Sequence, residues 1–231
     1  MSPVDRRDEI AQSLNDVRAR VEQATAKAGR SPESVTLIAV TKTYPASDVE
    51  ILFDLGVRDF GENRSAEGAE KSALVTGHWH FQGQIQSNKI AAISRWANTV
   101  HSLDQLSHVA KFDRAVGEES GKRCEIFIQL SLDGDPTRAG ISGAELLTLG
   151  EAVMQAANLD LMGLMVVPPV EADPEAAFAE VAEQAERFRI EFPSATSLSA
   201  GMSGDYEIAI AYGATHIRIG SQILGPRTPH A

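Results

Sequence analysis

The chain has 231 residues, of which 43% are apolar, enough to form the core of one large α/β domain or of two small ones. Its 21 basic and 32 acidic residues give a net charge of −11, which argues against broad contact with nucleic acid or an anionic membrane. The single cysteine, Cys124, excludes an internal disulfide and a cysteine-based metal cage, and we expect it to fill space in a strand. The charged N-terminus and the short apolar runs predict a soluble, cytoplasmic chain.

Apolar residues at helical spacing predict an amphipathic helix over residues 6–28, which Gly29 ends. After it, segments with strand character alternate with segments of helical character. The predicted strands cover residues 35–42, 57–60, 78–81, 99–102, 122–132, 160–167, a segment that ends at 197–199, and 215–219. The predicted helices cover residues 46–55, 63–74, 87–96, 103–116, 143–157, 173–191 and 205–212. Asp173 followed by Pro174 is a clear helix start.

This alternation predicts a parallel sheet covered by helices, because consecutive parallel strands need a crossover connection. About eight such units in a chain of this length indicate one (β/α)8 barrel of the TIM type, with the first helix as an addition. Linkers rich in Pro, Gly or Ser do not interrupt the pattern, so we interpret residues 1–231 as a single domain. An open doubly wound sheet fits the same pattern and stays an alternative.

Lys42 ends the first predicted strand, which reads Val-Thr-Leu-Ile-Ala-Val-Thr-Lys. Such a continuous apolar, β-branched run is typical of a strand buried on both faces. Because side chains alternate between faces, Lys42 shares a side with Ile38 and Val40. Most lysines are solvated surface charges, but burial lowers the pKa of an amine and leaves it able to attack a carbonyl. Lys42 is therefore a candidate Schiff-base lysine.

Polar residues cluster where predicted strands end, which is where barrel enzymes carry their chemistry. These clusters lie at residues 61–63, 82–89, 199–203 and 218–221. The last two combine hydroxyl residues with glycines that let backbone amides turn toward an anion ahead of a helix. Ser199, Ser203, Gly220 and Ser221 are thus candidates for a phosphate site opposite Lys42. The alternative is that they are capping serines and turn glycines.

Two histidines and one loop receive structural interpretations. His78 and His80 lie one residue apart on a strand, and two such histidines could bind a metal ion. No third ligand follows nearby, so we expect hydrogen-bonded roles and no metal site. Asp133, Asp135 and Arg138 form a polar loop that we interpret as solvated surface.

Arg218 alternates onto the strand face of His216, so its side chain should point into the barrel mouth rather than form an exposed ion pair. A strand-borne lysine, a phosphate site and this arginine together fit pyridoxal phosphate (PLP) better than a sugar phosphate. The aldehyde needs the amine, the phosphate needs the loops, and the ring nitrogen needs a polar neighbour. A permanently charged guanidinium disfavours a proton on that nitrogen, which makes the ring a weaker electron sink.

At these residues the chain resembles the pyridoxal phosphate homeostasis protein family, whose members look like the N-terminal barrel of alanine racemase standing alone. The matching stretches are residues 39–42, 60–63, 79–81, 86–89, 163–165, 199–203 and 218–221. The resemblance implies that Lys42 carries PLP as a Schiff base and that Arg218 lies by the pyridine nitrogen. The other residues it implies at the cofactor are Ser199, Gly220 and Ser221 for the phosphate, with Asn63 and Met202 lining the pocket. Arg64, Gly204 and Gln82 depart from the family pattern, which concerns the pocket wall.

Three functions remain open. The first is a PLP homeostasis protein, expected to be a monomer, that holds the cofactor for PLP-dependent apoenzymes and affects amino-acid and keto-acid pools without known catalysis. The second is a PLP-dependent amino-acid racemase, which needs a second base. In racemases resembling this barrel that base is a tyrosine of a second domain, and Tyr44, Tyr206 and Tyr212 are no obvious counterparts in a chain that ends at Ala231. The third is an aldolase whose lysine attacks a sugar phosphate directly.

Overall fold

Eight parallel strands form a closed barrel in the computed structural model, which describes residues 3–119, 121–135 and 139–226. Each strand pairs with the next along the chain, and β8 pairs with β1, where Ile38 lies opposite Arg218. The strands are Thr36–Val40 (β1), Asp59–Glu62 (β2), His78–Phe81 (β3), Thr99–Leu103 (β4), Cys124–Leu130 (β5), Leu159–Val166 (β6), Ser197–Met202 (β7) and His216–Ile219 (β8). The predicted TIM-type barrel is confirmed, and the pairing of β8 with β1 excludes the open sheet.

Helices follow the strands and cover the outside of the barrel. They are Pro3–Lys27 (α1), Ala46–Asp54 (α2), Ser65–Leu74 (α3), Ile90–Trp96 (α4), Leu106–Gly117 (α5), Ala144–Gln155 (α6), Pro174–Glu191 (α7), Tyr206–Ala211 (α8) and Ser221–Leu224 (α9). The side chain of Asp173 accepts a hydrogen bond from Ala176 N at 3.0 Å, which confirms the predicted start of α7. In the described part of the chain, no helix combines the length and the apolar character needed to cross a membrane.

The additional helix α1 packs across the place where the barrel closes. Its apolar stripe, which includes Ile10, Leu14 and Val17, is buried, and the helix contacts α2, α8 and α9. Arg6 adds a hydrogen bond of 2.6 Å to Asp48 at the start of α2 and one of 2.9 Å to Leu224 O in α9. The helix therefore ties the first strand-helix unit to the last.

The strands place apolar residues outward, under the helices, and many polar residues inward. Phe60 and Trp79 pack against each other in the outer core with ring centroids 5.1 Å apart. Their sequence neighbours Asp59 and His80 hydrogen bond to each other at 3.2 Å. Cys124 is fully buried, as predicted, and burial raises the pKa of its thiol to about 12.

Several boundaries differ from the predictions. The first turn of the helix predicted over 87–96 is a 3-10 turn, Ser87–Lys89. A helix was expected after the 218–221 cluster, but the range of the short helix α9 was not predicted, because four residues are too few for a periodic pattern. The predicted polar loop continues into Arg138, which lies outside the described residues, so its interpretation stays a prediction.

Candidate functional site

A cavity of about 390 Å³ opens at the carboxyl end of the barrel, bordered by the ends of six strands. It is lined by Val40, Lys42, Asn63, Gln82, Met165, Val167, Met202, Ser203, Gly204, Arg218, Gly220 and Ser221. Six of the seven residues predicted to hold the cofactor are in this set, and Ser199 is not. The site thus lies at the barrel end where parallel barrels carry their chemistry.

Lys42 lies in a tight turn directly after β1. The strand ends at Val40, and the turn is closed by a hydrogen bond of 3.1 Å from Tyr44 N to Thr41 O. The prediction that Lys42 is the last residue of the strand is therefore wrong by two residues. Its side chain is half-buried and lines the cavity together with Val40, so the predicted direction is correct.

The residue before Lys42 is fixed by a buried ion pair between β2 and α3. Lys71 Nζ donates to Thr41 O at 2.8 Å and to Glu62 Oε1 at 2.6 Å, and Thr41 Oγ1 donates to the same carboxylate oxygen at 2.6 Å. Glu62 is 0% exposed and Lys71 is 5% exposed. Burial raises the pKa of Glu62, although the hydrogen bonds from Lys71 and Thr41 act against the shift. A buried pair with this much hydrogen bonding holds Thr41 rigidly.

The residue after Lys42 is fixed as well. Thr43 has a φ of 71°, in the left-handed region that a β-branched residue rarely adopts. Its backbone N–H donates to Glu67 Oε2 at 3.0 Å, and Lys71 Nζ lies 3.7 Å from the same oxygen. Burial acts to raise the pKa of Glu67, but the Thr43 amide and Lys71 outweigh it, and the pKa is lowered. Both chain neighbours of Lys42 are thus held by one charged cluster.

Arg218 reaches the cavity from β8, and its predicted direction is confirmed. It is 5% exposed; Nη1 donates to Ser199 Oγ at 2.7 Å and Nη2 donates to Val166 O at 2.8 Å. Burial lowers the pKa of Arg218 to about 10, while Asp205 acts in the opposite direction. The guanidinium therefore keeps its charge at neutral pH.

Ser199 lies inside β7 rather than in the loop after it. The strand continues to Met202, and Ser199 pairs with His216 across the sheet. Its side chain is fully buried below the cavity, where Oγ also contacts His101 Nδ1 at 2.8 Å. The loop prediction was wrong because the run of small residues has a packing cause: a Cβ on Gly201 would lie 2.8 Å from the Cα of Tyr206 in α8.

The loops after β7 and β8 meet beside Lys42. Ser221 Oγ donates to Ser203 Oγ at 3.4 Å, so two hydroxyl groups lie next to each other at the cavity mouth. A Cβ added to Gly220 would lie 3.0 Å from Val40 O, which shows how closely the β8 loop approaches β1. These loops were predicted opposite the lysine, but barrel closure makes β8 the neighbour of β1.

The site also contains polar groups that sequence reasoning did not assign. Gln82 lines the cavity, and its buried Nε2 has no hydrogen-bond partner among the described residues. The Glu67–Lys71 spacing of four residues on one helix was a signal for an ion pair that could have been recognised.

His78 and His80 have the predicted hydrogen-bonded roles. His78 hydrogen bonds to Thr99, and His80 hydrogen bonds to His101 and Asp59. Within the described ranges, no group of three or more His, Cys, Asp or Glu side chains is placed to hold a metal ion.

The cavity groups suit a ligand that carries an electrophilic carbon and an anion. A half-buried amine, a buried guanidinium and paired hydroxyls converge there, and the orphaned Gln82 donor requires an acceptor. Fold and site together therefore define a parallel (β/α)8 barrel with a lysine next to loops of small and hydroxyl residues.

Comparison with known proteins identifies the family. The family model for the N-terminal domain of alanine racemase matches residues 12–228. The pyridoxal phosphate homeostasis protein of Mycobacterium tuberculosis is 38% identical to this chain, with 96% of this chain and 95% of that protein aligned. The protein of the same name from Escherichia coli is 37% identical, with 95% and 97% aligned. The chain belongs to the alanine racemase N-terminal domain family, in its branch of pyridoxal phosphate homeostasis proteins.

Solved structures agree with this family. PipY from Synechococcus elongatus, in a structure with PLP bound, superposes with a TM-score of 0.81 at 33% identity, and the match covers 94% of this chain and 100% of that chain. Alanine racemase from Corynebacterium glutamicum has a TM-score of 0.68 at 15% identity, and the match covers 94% of this chain and 60% of the racemase. The second similarity concerns the fold alone.

Proposed function

We propose that this protein binds PLP reversibly, with Lys42 holding the aldehyde as a Schiff base, and that it serves PLP homeostasis rather than catalysis. The observation that carries the proposal is that Lys42, Arg218 and the paired hydroxyls of Ser203 and Ser221 line the same cavity. Relatives that share the name of PLP homeostasis protein and the PLP-bound structure of PipY support it.

Each part of the cofactor has a matching group in the cavity. We assign the aldehyde to Lys42, the phosphate to Ser203, Gly220 and Ser221, and the ring nitrogen to Arg218. The role first predicted for Ser199 passes to Ser203, because Ser199 lies below the cavity. Asn63 and Met202 would line the cofactor.

PLP, when bound, supplies an electrophilic aldehyde and an electron-withdrawing ring. Arg218 stays charged at neutral pH and can only donate hydrogen bonds, so it favours an unprotonated ring nitrogen. A ring with an unprotonated nitrogen is a weak electron sink, which suits storage and release of the cofactor better than carbanion chemistry.

The arrangement of the tyrosines argues against the racemase alternative. A racemase needs a second base on the other side of its substrate. Among the described residues that line the cavity there is no tyrosine. The Tyr44 hydroxyl donates to Gly225 O at 2.5 Å, and Tyr206, the first residue of α8, is 1% exposed. We therefore propose that the protein supplies PLP to apoenzymes without turnover of its own. We further propose that it is a monomeric, cytoplasmic protein with a single domain over residues 1–231.

Absorbance spectroscopy tests the binding. Purified protein incubated with PLP and then separated from unbound cofactor by gel filtration should be yellow, and borohydride should remove the colour and leave a pyridoxyl group on Lys42 that peptide mass spectrometry locates. The Lys42→Ala variant should stay colourless, whereas Lys89→Ala, which removes an exposed lysine outside the cavity, should behave like the unmodified protein. Colour that survives in Lys42→Ala would overturn the assignment of the lysine.

Chiral analysis separates binding from racemisation. PLP-loaded protein incubated with L-alanine should give no steady accumulation of D-alanine above a sample of heat-denatured protein. Sustained formation of D-alanine that disappears in Lys42→Ala would establish the racemase instead.

A further inference from the structure

The interior of the barrel contains a continuous chain of polar side chains. It begins at Asp59 on β2 and passes through His80 on β3, His101 on β4 and Ser199 on β7 to Arg218 on β8. The successive distances are 3.2 Å from Asp59 Oδ1 to His80 Nε2, 2.9 Å from His80 Nδ1 to His101 Nε2, 2.8 Å from His101 Nδ1 to Ser199 Oγ, and 2.7 Å from Ser199 Oγ to Arg218 Nη1. Barrel interiors are usually filled with branched apolar side chains, so such a chain requires an explanation.

The Asp59 end fixes the direction of every hydrogen bond when both imidazole rings are neutral. The Asp59 carboxylate accepts, so His80 carries its proton on Nε2, and its bare Nδ1 accepts from His101 Nε2. The Nδ1 of His101 is then bare and accepts from the Ser199 hydroxyl. Ser199 Oγ in turn accepts from Arg218, which can only donate. Reversal of the chain would bring a bare ring nitrogen of His80 against that carboxylate.

Burial supports this single arrangement. His80 is 1% exposed and His101 is 0% exposed, and burial lowers the pKa of both rings, which keeps them neutral. The ring of His101 is stacked on Phe127, with centroids 4.6 Å apart and planes 12° from parallel. Asp59 has a side chain that is 29% exposed, at the opposite end of the barrel from the cavity. The hydrogen-bond chain therefore connects solvent at one end of the barrel with the floor of the cavity at the other end.

We propose that Ser199, His101 and His80 are positioning residues for Arg218, which they hold by a hydrogen-bond chain of fixed direction that ends on Asp59. The second anchor, Val166 O, accepts from Nη2, so the guanidinium is fixed at two nitrogens and its plane is set. Successive hydrogen bonds in one direction polarise one another, which strengthens the hold on Nη1. The ligand chemistry that such an arginine selects is an aromatic ring with an acceptor nitrogen, so this inference rests on the proposed function.

Nuclear magnetic resonance tests the direction of the hydrogen-bond chain in the absence of PLP. Long-range ¹H–¹⁵N spectra of the unloaded protein, assigned with single His variants, should show His80 and His101 as neutral rings with the proton on Nε2 at pH 7. A proton on Nδ1 of either ring, or a charged ring, would overturn the direction of the chain whatever the protein binds.

Affinity for two ligands tests the positioning role. Ser199→Ala and His101→Leu should weaken equilibrium binding of PLP by about five- to tenfold, as expected for a lost buried hydrogen bond. Binding of a PLP analogue with C–H in place of the ring nitrogen should not change. His108→Leu is the matched control, because His108 is 1% exposed but lies on α5, bound to Ser87 Oγ at 3.0 Å.

The two ligands make the outcomes distinct. Equal weakening of PLP and of the analogue in Ser199→Ala would show that the chain has only a structural role. Unchanged PLP affinity in Ser199→Ala would likewise overturn the proposal, even where His101→Leu does not fold. Failure of the unmodified protein to bind either ligand would overturn the proposed function, while the spectra of the unloaded protein would still decide the direction of the chain.

Discussion

The lysine side and the arginine side of the cavity are held by different kinds of interaction. On the lysine side, Lys71 lies between the carboxylates of Glu62 and Glu67, and the three groups fix the turn that carries Lys42. On the arginine side, neutral groups connect Arg218 to Asp59 over four hydrogen bonds. On the lysine side the charged groups contact one another, whereas on the arginine side they lie at the two ends of the hydrogen-bond chain.

This difference corresponds to what each side must do. Lys42 has to present an amine in one place, and its two chain neighbours, Thr41 and Thr43, are both fixed. Arg218 has to keep both its charge and its orientation, so its own nitrogens are fixed. A charged cluster fails when one member is lost, whereas a neutral chain loses one hydrogen bond at a time. The two sides should therefore respond to mutation and to pH in different ways.

The largest effect is expected from Lys71→Met. This variant leaves Glu62 buried without its cation, which should cost about 3–5 kcal/mol of unfolding free energy, and it loosens Thr41 so that capture of PLP by Lys42 slows. Denaturant unfolding and stopped-flow absorbance measure the two effects. Lys89→Met, at an exposed lysine, is the control.

A double variant sharpens that result. Lys71→Met combined with Glu62→Gln removes both charges, so it should recover part of the stability lost in the single variant. A single variant as stable as the unmodified protein would contradict the view that a buried charge pair holds the lysine side.

Acid should act mainly on the arginine side, by about 1–3 kcal/mol between pH 6.5 and 5.5. Burial lowers the pKa of His80 and His101, and it lowers that of His216 to about 4. Below pH 6.5 the unfolded chain therefore binds more protons than the folded protein, so the free energy of unfolding decreases as the pH decreases. His78 acts in the opposite sense: its hydrogen bond to Glu125 raises its pKa, so its contribution is complete below pH 6.5 and is lost as pH rises.

Thermal unfolding between pH 8 and 4.5 measures this dependence. The melting temperature should fall below pH 6.5, and His216→Asn should make the fall less steep. On the lysine side the pKa of Glu62 is raised and that of Glu67 is lowered, so their contributions offset each other. A melting temperature that stays constant down to pH 5 would contradict neutral histidines in the barrel interior.

The same comparison shows how far the sequence could be read. Alternation along β8 was enough to direct Arg218 inward, and alternation along β1 directed Lys42 correctly. The burial of Ser199 could not be read, because the small residues around it are equally typical of a loop and of a strand on which α8 packs. The ion pair of Glu62 with Lys71 joins two elements whose approach only the folded barrel determines.

The smallest effect is expected from Thr43→Gly on the lysine side. Thr43 has a φ of 71°, which costs a residue with a side chain about 1–2 kcal/mol, and its buried Oγ1 has no partner among the described residues. Glycine removes both costs but adds about 0.5–1 kcal/mol of chain entropy to the unfolded state, so the variant should be more stable by about 0.5–1 kcal/mol. The backbone N–H remains to donate to Glu67, so capture of PLP should keep its rate. Thr43→Ala, which keeps the strain and removes the hydroxyl, separates the two contributions. Destabilisation of Thr43→Gly by more than about 1 kcal/mol would show that the threonine side chain, and not only its amide, holds the turn that presents Lys42.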